Sequence, residues 1–186
     1  MKKVSIKELM VPLNEYATVS EDATLADAIQ ALDHAQETFC QDKYRHRAIL
    51  VLDNNQHPIG KISQIDALRA LEPKYKEIQN QDTRGAFRHF SRMFLNSVLE
   101  HHRLFDGSLE DFRRKAASIH VRDFMHALSA DECVSEDATL DEAIHHLVMG
   151  HQQSLLIKRE DTIVGILRLT DVFSAVFQPL MSPARL

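Results

Sequence analysis

The chain has 186 residues, 44% of them hydrophobic, with 22 basic and 27 acidic side chains and a formal net charge of −5. That length can bury a sizeable core and accommodate two small domains with an insert, and the net acidity leaves no basic field to neutralise a phosphate backbone, so nucleic acid is not an expected direct partner. Lys7 and Glu8 interrupt any signal-like apolar run, no later run approaches a membrane span, and Cys40 and Cys133 suggest neither a disulfide framework nor a metal quartet. A cytoplasmic setting is expected.

In chain order, Ser5 with Glu8 reads as a capping box opening a short helix that ends near Met10 and Pro12. Tyr16 to Val19 is a brief β-branched stretch. Thr24 and Asp27 then cap a helix on which Leu25, Ala28, Ile29 and Leu32 recur at helical spacing. Ala48 to Leu52 is an apolar run of strand length bounded by Asp53-Asn54-Asn55, which predicts a buried central strand. Pro58 to Ser63 is its hairpin partner, and Ser63 starts a helix through Ile65, Leu68 and Leu71.

Pro73 to His120 has a helical pattern. Phe87, Phe90, Phe94, Val98, His101 and Phe105 form one stripe, and a second short helix spans Leu109 to Ala117. Such a stripe predicts core or a subunit contact, with a dedicated partner-binding face as the alternative.

The earlier order of elements then returns. Cys133 and Val134 precede a helix from Leu140 to Met149 capped by Thr139 with Glu142; Ser154 to Ile157 and Thr162 to Leu167 make a hairpin, and Leu169 to Val176 the last helix. The stretch from Val19 to Leu32 matches Val134 to Leu147 at ten of fourteen positions, and the register extends from Ile6 to Met10 onto Val121 to Met125. The chain is therefore a duplication. The first copy carries extra residues around Glu37 to Tyr44, and the second hairpin loop reads as one residue shorter, which leaves the central-strand equivalences open by one position. The divisions are 1–72, an insert at 73–118, 119–181 and a tail at 182–186.

Gly60-Lys61-Ile62-Ser63-Gln64-Ile65-Asp66 is a strand running straight into a helix. A glycine removes a Cβ where a ligand can approach, the helix start offers free N–H groups, and a hydroxyl with a carboxylate can bind sugar hydroxyls. Ser63 and Asp66 also have the spacing of a helix cap that needs no ligand. The second copy has Arg168 in place of the serine, followed by Asp171. A guanidinium cannot accept a hydrogen bond, so capping passes to Thr170, and an arginine there implies either a nearby anion or a side chain pointing into water. Eleven histidines include the pairs His101-His102 and His145-His146, whose members face about 100° apart on a helix and cannot chelate together. With no nucleophile elbow, phosphate loop or dinucleotide fingerprint, an enzyme is not expected.

Taken together, Met10-Val11-Pro12, Val19 to Leu25, Ala48 to Asp53 and Gly60 to Asp66, with their repetition, make the chain resemble the CBS domain in its tandem, Bateman-type pair. The resemblance implies an α+β fold of two β-α-β-β-α units about a pseudo-twofold axis, association into homodimers, and clefts that bind AMP, ADP, ATP or S-adenosylmethionine. By the same resemblance Ser63 meets phosphate, Asp66 and Asp171 meet ribose hydroxyls, and Thr18, Arg47 and Ala48 line the adenine and phosphate region, with Ser154 joining them in the second copy. Arg168 departs from the family's Ser/Thr, which implies either a different phosphate clamp or no second site. The expected function is a non-catalytic sensor that signals to a separate, unidentified effector protein through the helical insert. The alternative is a dimerisation or scaffold module that has lost nucleotide binding.

Overall fold

The computed structural model describes residues 4–38, 46–81 and 92–181. Most of the extra residues of the first copy lie outside that range, as do Phe87 and Phe90 of the aromatic stripe and the side chain of Phe94.

The chain begins with α1 (Ile6–Leu9), capped by the Ser5 hydroxyl, and β1 (Val11–Pro12). The first repeat follows as β2 (Thr18–Ser20), α2 (Leu25–Thr38), β3 (Ala48–Leu52), β4 (Pro58–Ser63) and α3 (Gln64–Leu71). The insert contributes α4 (Lys74–Gln81), α5 (Arg92–His102) and α6 (Leu109–Ser118). The second lead-in strand is β5 (His126–Ala127), and the second repeat is β6 (Cys133–Ser135), α7 (Leu140–Met149), β7 (Ser154–Arg159), β8 (Thr162–Arg168) and α8 (Leu169–Met181). This is the α+β order that the sequence predicts. In each repeat a parallel strand pair is joined through a helix and followed by an antiparallel hairpin.

The strand registers remove the ambiguity in the central strand. Ala48 pairs with Ser63 and Ser154 with Arg168, so Ala48 and Ser154 are equivalent and the second hairpin loop is one residue shorter. Leu50 and Leu156 are then equivalent too, and both lie in one buried cluster with Val11, Tyr16 and Ile166. The seam between the repeats is this apolar layer.

The two lead-in segments are exchanged. The sheet orders are β2-β3-β4-β5 and β1-β8-β7-β6, so each repeat's hairpin is completed by the lead-in of the other. Ile6 is fully buried among Val134, Leu140, Ala143, Leu155 and Leu167, while Val121 is buried among Ala17, Val19, Ala28, Ile49 and Val51. Lys7 pairs with Asp137, and at the equivalent positions Arg122 pairs with Asp22. The bridges Ser5 to Thr139 and Thr24 to His120 are equivalent in the same way. Each two-residue strand covers an edge of β4 or β8 that would otherwise present unpaired backbone groups.

This exchange corrects the reading of the glycines. A Cβ on Gly60 would lie 2.6 Å from Met125 Sδ and 3.0 Å from the His126 carbonyl oxygen, and one on Gly165 would lie 2.7 Å from the Val11 carbonyl oxygen. The glycines admit the crossing lead-in strand; it is this backbone, not a ligand, that approaches them.

The insert docks on the first unit through α2 and α3. Glu72, almost fully buried, accepts the Phe105 N–H at 2.8 Å, and Lys74 Nζ donates to the carbonyls of His102 and Arg103, closing the C-terminus of α5. Phe105 sits between the rings of Tyr75 and Phe112, and α6, opened by a Ser108–Asp111 capping box, packs on α2 and α3.

Candidate ligand cleft between the units

Where β4 meets α3, Ser63 is the N-cap in extended backbone conformation. Its hydroxyl donates to Asp66 Oδ2 at 2.5 Å and accepts from the Asp66 N–H at 3.3 Å, while its own N–H donates to Asp66 Oδ2 at 2.9 Å. The helix-cap reading of this motif is therefore realised. The other carboxylate oxygen, Oδ1, lies 2.9 Å from His126 Nε2 and 3.8 Å from the Arg69 guanidinium. Burial alone pushes the Asp66 carboxyl up, but the hydrogen bonds from Ser63 and His126 outweigh it and hold the group below its ordinary value.

This corner opens into a cavity of about 340 Å³ at the seam, within the roughly 300–1,000 Å³ of small-molecule sites. Arg47, Ala48, Ser63 and Asp66 reach it from the first unit, and Ser154 and Arg168 from the second. Thr18 lies on β2 in parallel register with Leu50 and is not part of the wall, and Asp171 also stands outside it. The wall further contains Tyr16, Lys61, Arg69 and His126, together with His151 to Gln153 and Thr170, none of which the sequence marked as a ligand contact. Lys61 and Arg69 flank the Ser63 motif at short range and were accessible to pattern reading. His126 was not, because its counterpart Val11 is apolar and only the strand exchange delivers it to the cleft.

Tyr16 and His46 support the floor. Their rings meet edge to face with centroids 4.4 Å apart. Burial pushes the Tyr16 phenol up to about 12, against the opposing pull of Arg168, and pushes His46 down to about 4, so both are neutral near pH 7. Lys61 reaches Glu132 at 2.5 Å.

The second copy's corner is built differently. Arg168 is only 5% exposed, which rules out a guanidinium extended into water. Its Nε and one terminal nitrogen donate to the two oxygens of Asp171 at 2.5 and 2.7 Å. This is a forked arginine–carboxylate pair.

Among the described residues, no group of three or more His, Cys, Asp or Glu side chains is placed to hold a metal ion, and no helix is long and apolar enough to cross a membrane. Cys133 is half-buried, and burial pushes its thiol up.

The sequence profile of the CBS domain matches residues 6–73 and 121–178, one segment per repeat. The chain belongs to the CBS domain family. Solved CBS structures share its fold. CBSX2 from Arabidopsis thaliana superposes with a TM-score of 0.58 at 17% identity, covering 96% of this chain and 98% of its own. CBSX2 in complex with AMP gives 0.58 at 18%, covering 94% and 97%. The CBS domain of a CBS domain containing membrane protein from Sphaerobacter thermophilus gives 0.60 at 15%, covering 94% and 88%. No curated protein sequence matches the chain. At these identities the likeness is one of fold, so the site of this CBS pair rests on its own geometry.

Proposed function

We propose that this CBS pair is a non-catalytic regulatory module that senses an adenosine-containing ligand in the cleft between its units. The observation that carries the reading is the seam cavity with Ser63 and Asp66 at the mouth of α3, where the family resemblance puts phosphate and ribose contacts. The CBSX2 complex with AMP supports the ligand class. A ribose hydroxyl would take the Oδ1 of Asp66 that His126 now faces, and the exposed Arg47 borders the same opening. Among the described charged residues of the cleft wall only Asp66 is acidic, which favours an anionic nucleotide over the sulfonium cation of S-adenosylmethionine.

Differential affinity for two arrangements of the units would shift their populations, and Arg69 gives that shift a route to the insert. It lines both the cleft and a groove bounded by Pro73, Lys76, Lys115 and Ile119, so displacement of the Asp66–Arg69 contact is felt beneath the insert. We assign the output to a separate effector protein in the cytoplasm. Exposed Ile65 and Leu68 on α3 and Phe173 and Phe177 on α8 form apolar faces that suit a homodimer. Leu68→Glu combined with Phe173→Glu should then halve the mass measured by light scattering.

The scaffold alternative draws on one observation, that Asp66 and Asp171 both already have protein partners. Thermal melts with adenosine, AMP, ADP, ATP and S-adenosylmethionine decide between them. A sensor gains about 2.7 kcal/mol at a hundredfold excess over its dissociation constant, seen as a melting point higher by several degrees; unchanged melting with all five leaves the scaffold.

A further inference from the structure

The charge around the seam is one-sided. Arg47, Lys61 and Arg69 of the first unit line the cleft, with His126 beside them. Their equivalents across the pseudo-twofold are Gln153, Ile166, Ser174 and Val11. At each of these four positions a basic residue on one side is answered by an uncharged one on the other. The exception runs the opposite way: Ser63 is answered by Arg168, and Arg168 lines the same cleft as Ser63.

Asp171, the equivalent of Asp66, is held through both of its oxygens by this guanidinium. A ribose could reach Asp171 only by breaking a forked pair whose arginine is almost wholly buried, and breaking one side of such a pair leaves an uncompensated buried charge. Among the described residues the second corner therefore offers a ligand no uncommitted carboxylate, and its arginine lines the cleft shared with the first unit.

We infer that each chain binds one nucleotide rather than two, and that Arg168 acts on that nucleotide from across the seam as a phosphate-binding residue. The inference rests on the proposed adenosine-sensing function and sets its stoichiometry and its preference for phosphate. The ribose lies against Asp66, and the phosphate lies between Ser63 and Arg168, so one ligand touches both units. An arginine fits this part because its planar guanidinium matches the geometry of phosphate oxygens and keeps its charge while paired with Asp171.

Titration calorimetry on the full chain with adenosine, AMP and ADP tests this, using the wild type, Arg168→Ser and Arg168→Lys. Serine is what the first copy has at that position, and it can cap α8 with Asp171 as Ser63 caps α3 with Asp66, which preserves the fold; circular dichroism checks that it does. The wild type should bind one ligand per chain, with AMP and ADP tighter than adenosine. Arg168→Ser should weaken AMP and ADP at least tenfold at the wild-type site and change adenosine there less than twofold. Arg168→Lys should recover part of the loss and, if the serine variant is not folded, carries the same comparison with a smaller loss of AMP and ADP. Two ligands per chain in the wild type, or an equal effect on adenosine and AMP, would overturn the inference while leaving the sensing function intact. No heat from any of the three ligands with the wild type would overturn both.

Discussion

His126 and Asp66 stand 60 positions apart in the chain, yet the imidazole Nε2 and the carboxylate oxygen are 2.9 Å apart. The contact exists because β5 pairs with β4 and so carries His126 to the mouth of α3. One residue of the second lead-in thus completes the polar corner of the first repeat.

Acid stability should reveal that corner. The Asp66 carboxyl is held below its ordinary value in the fold, so its contribution is present above the unfolded carboxylate value, about 3.9, and is lost as pH falls through the folded value. Asp66→Asn should lower stability at pH 7 by about 1–3 kcal/mol and flatten the decline below about pH 4. Urea midpoints from pH 2.5 to 7 measure both; parallel wild-type and variant curves would mean that Asp66 does not titrate in this way.

His46 acts in a higher window. Its folded value is depressed to about 4 by burial, whereas the unfolded imidazole takes a proton near pH 6.5. Its stabilisation is complete above about 6.5 and is lost progressively as pH falls toward 4, by at most about 3 kcal/mol. His46→Phe retains an aromatic ring against Tyr16 and should remove the slope between pH 6.5 and 4, leaving the Asp66 limb in place. A slope unchanged in that variant would assign it to other groups.

The two glycines should tolerate a methyl group unequally. At Gly165 the nearest obstacle is the Val11 backbone oxygen, while at Gly60 it is the flexible Met125 thioether. Gly165→Ala should therefore destabilise more than Gly60→Ala, and thermal or urea melts give the order. The reverse order would mean that the Met125 side chain yields less easily than the β1 backbone.

Exchange of the lead-ins predicts where a remote mutation is felt. Ile6→Ala leaves a cavity in the second unit and should cost about 2–5 kcal/mol. Native-state hydrogen exchange should then quicken in β7 and α7 more than in β2 and β3, because Ile6 packs on Val134, Leu140 and Leu155. Faster exchange confined to the first unit would contradict the crossed topology.

Local chemistry wrote much of this architecture into the sequence. The apolar run Ala48 to Leu52, the turn after it and the Ser63 cap announced a strand, a hairpin and a helix start, and the structure has β3, β4 and α3 at those places. Duplication predicted the same order again, with the helix from Leu140 to Met149 opened by its Thr139 cap. Such features depend on neighbours within a few residues and are legible in order. Only the tertiary structure decided that β1 and β5 change partners, since two-residue strands carry too little periodicity to name an edge. It also decided the fate of Arg168, for which sequence allowed an anion or open water; Asp171 stands only three residues on, but the burial that excludes open water is set by the surfaces packed around the guanidinium. Elements follow from short-range propensity, whereas the cleft follows from which surfaces meet when two copies of one unit fold against each other.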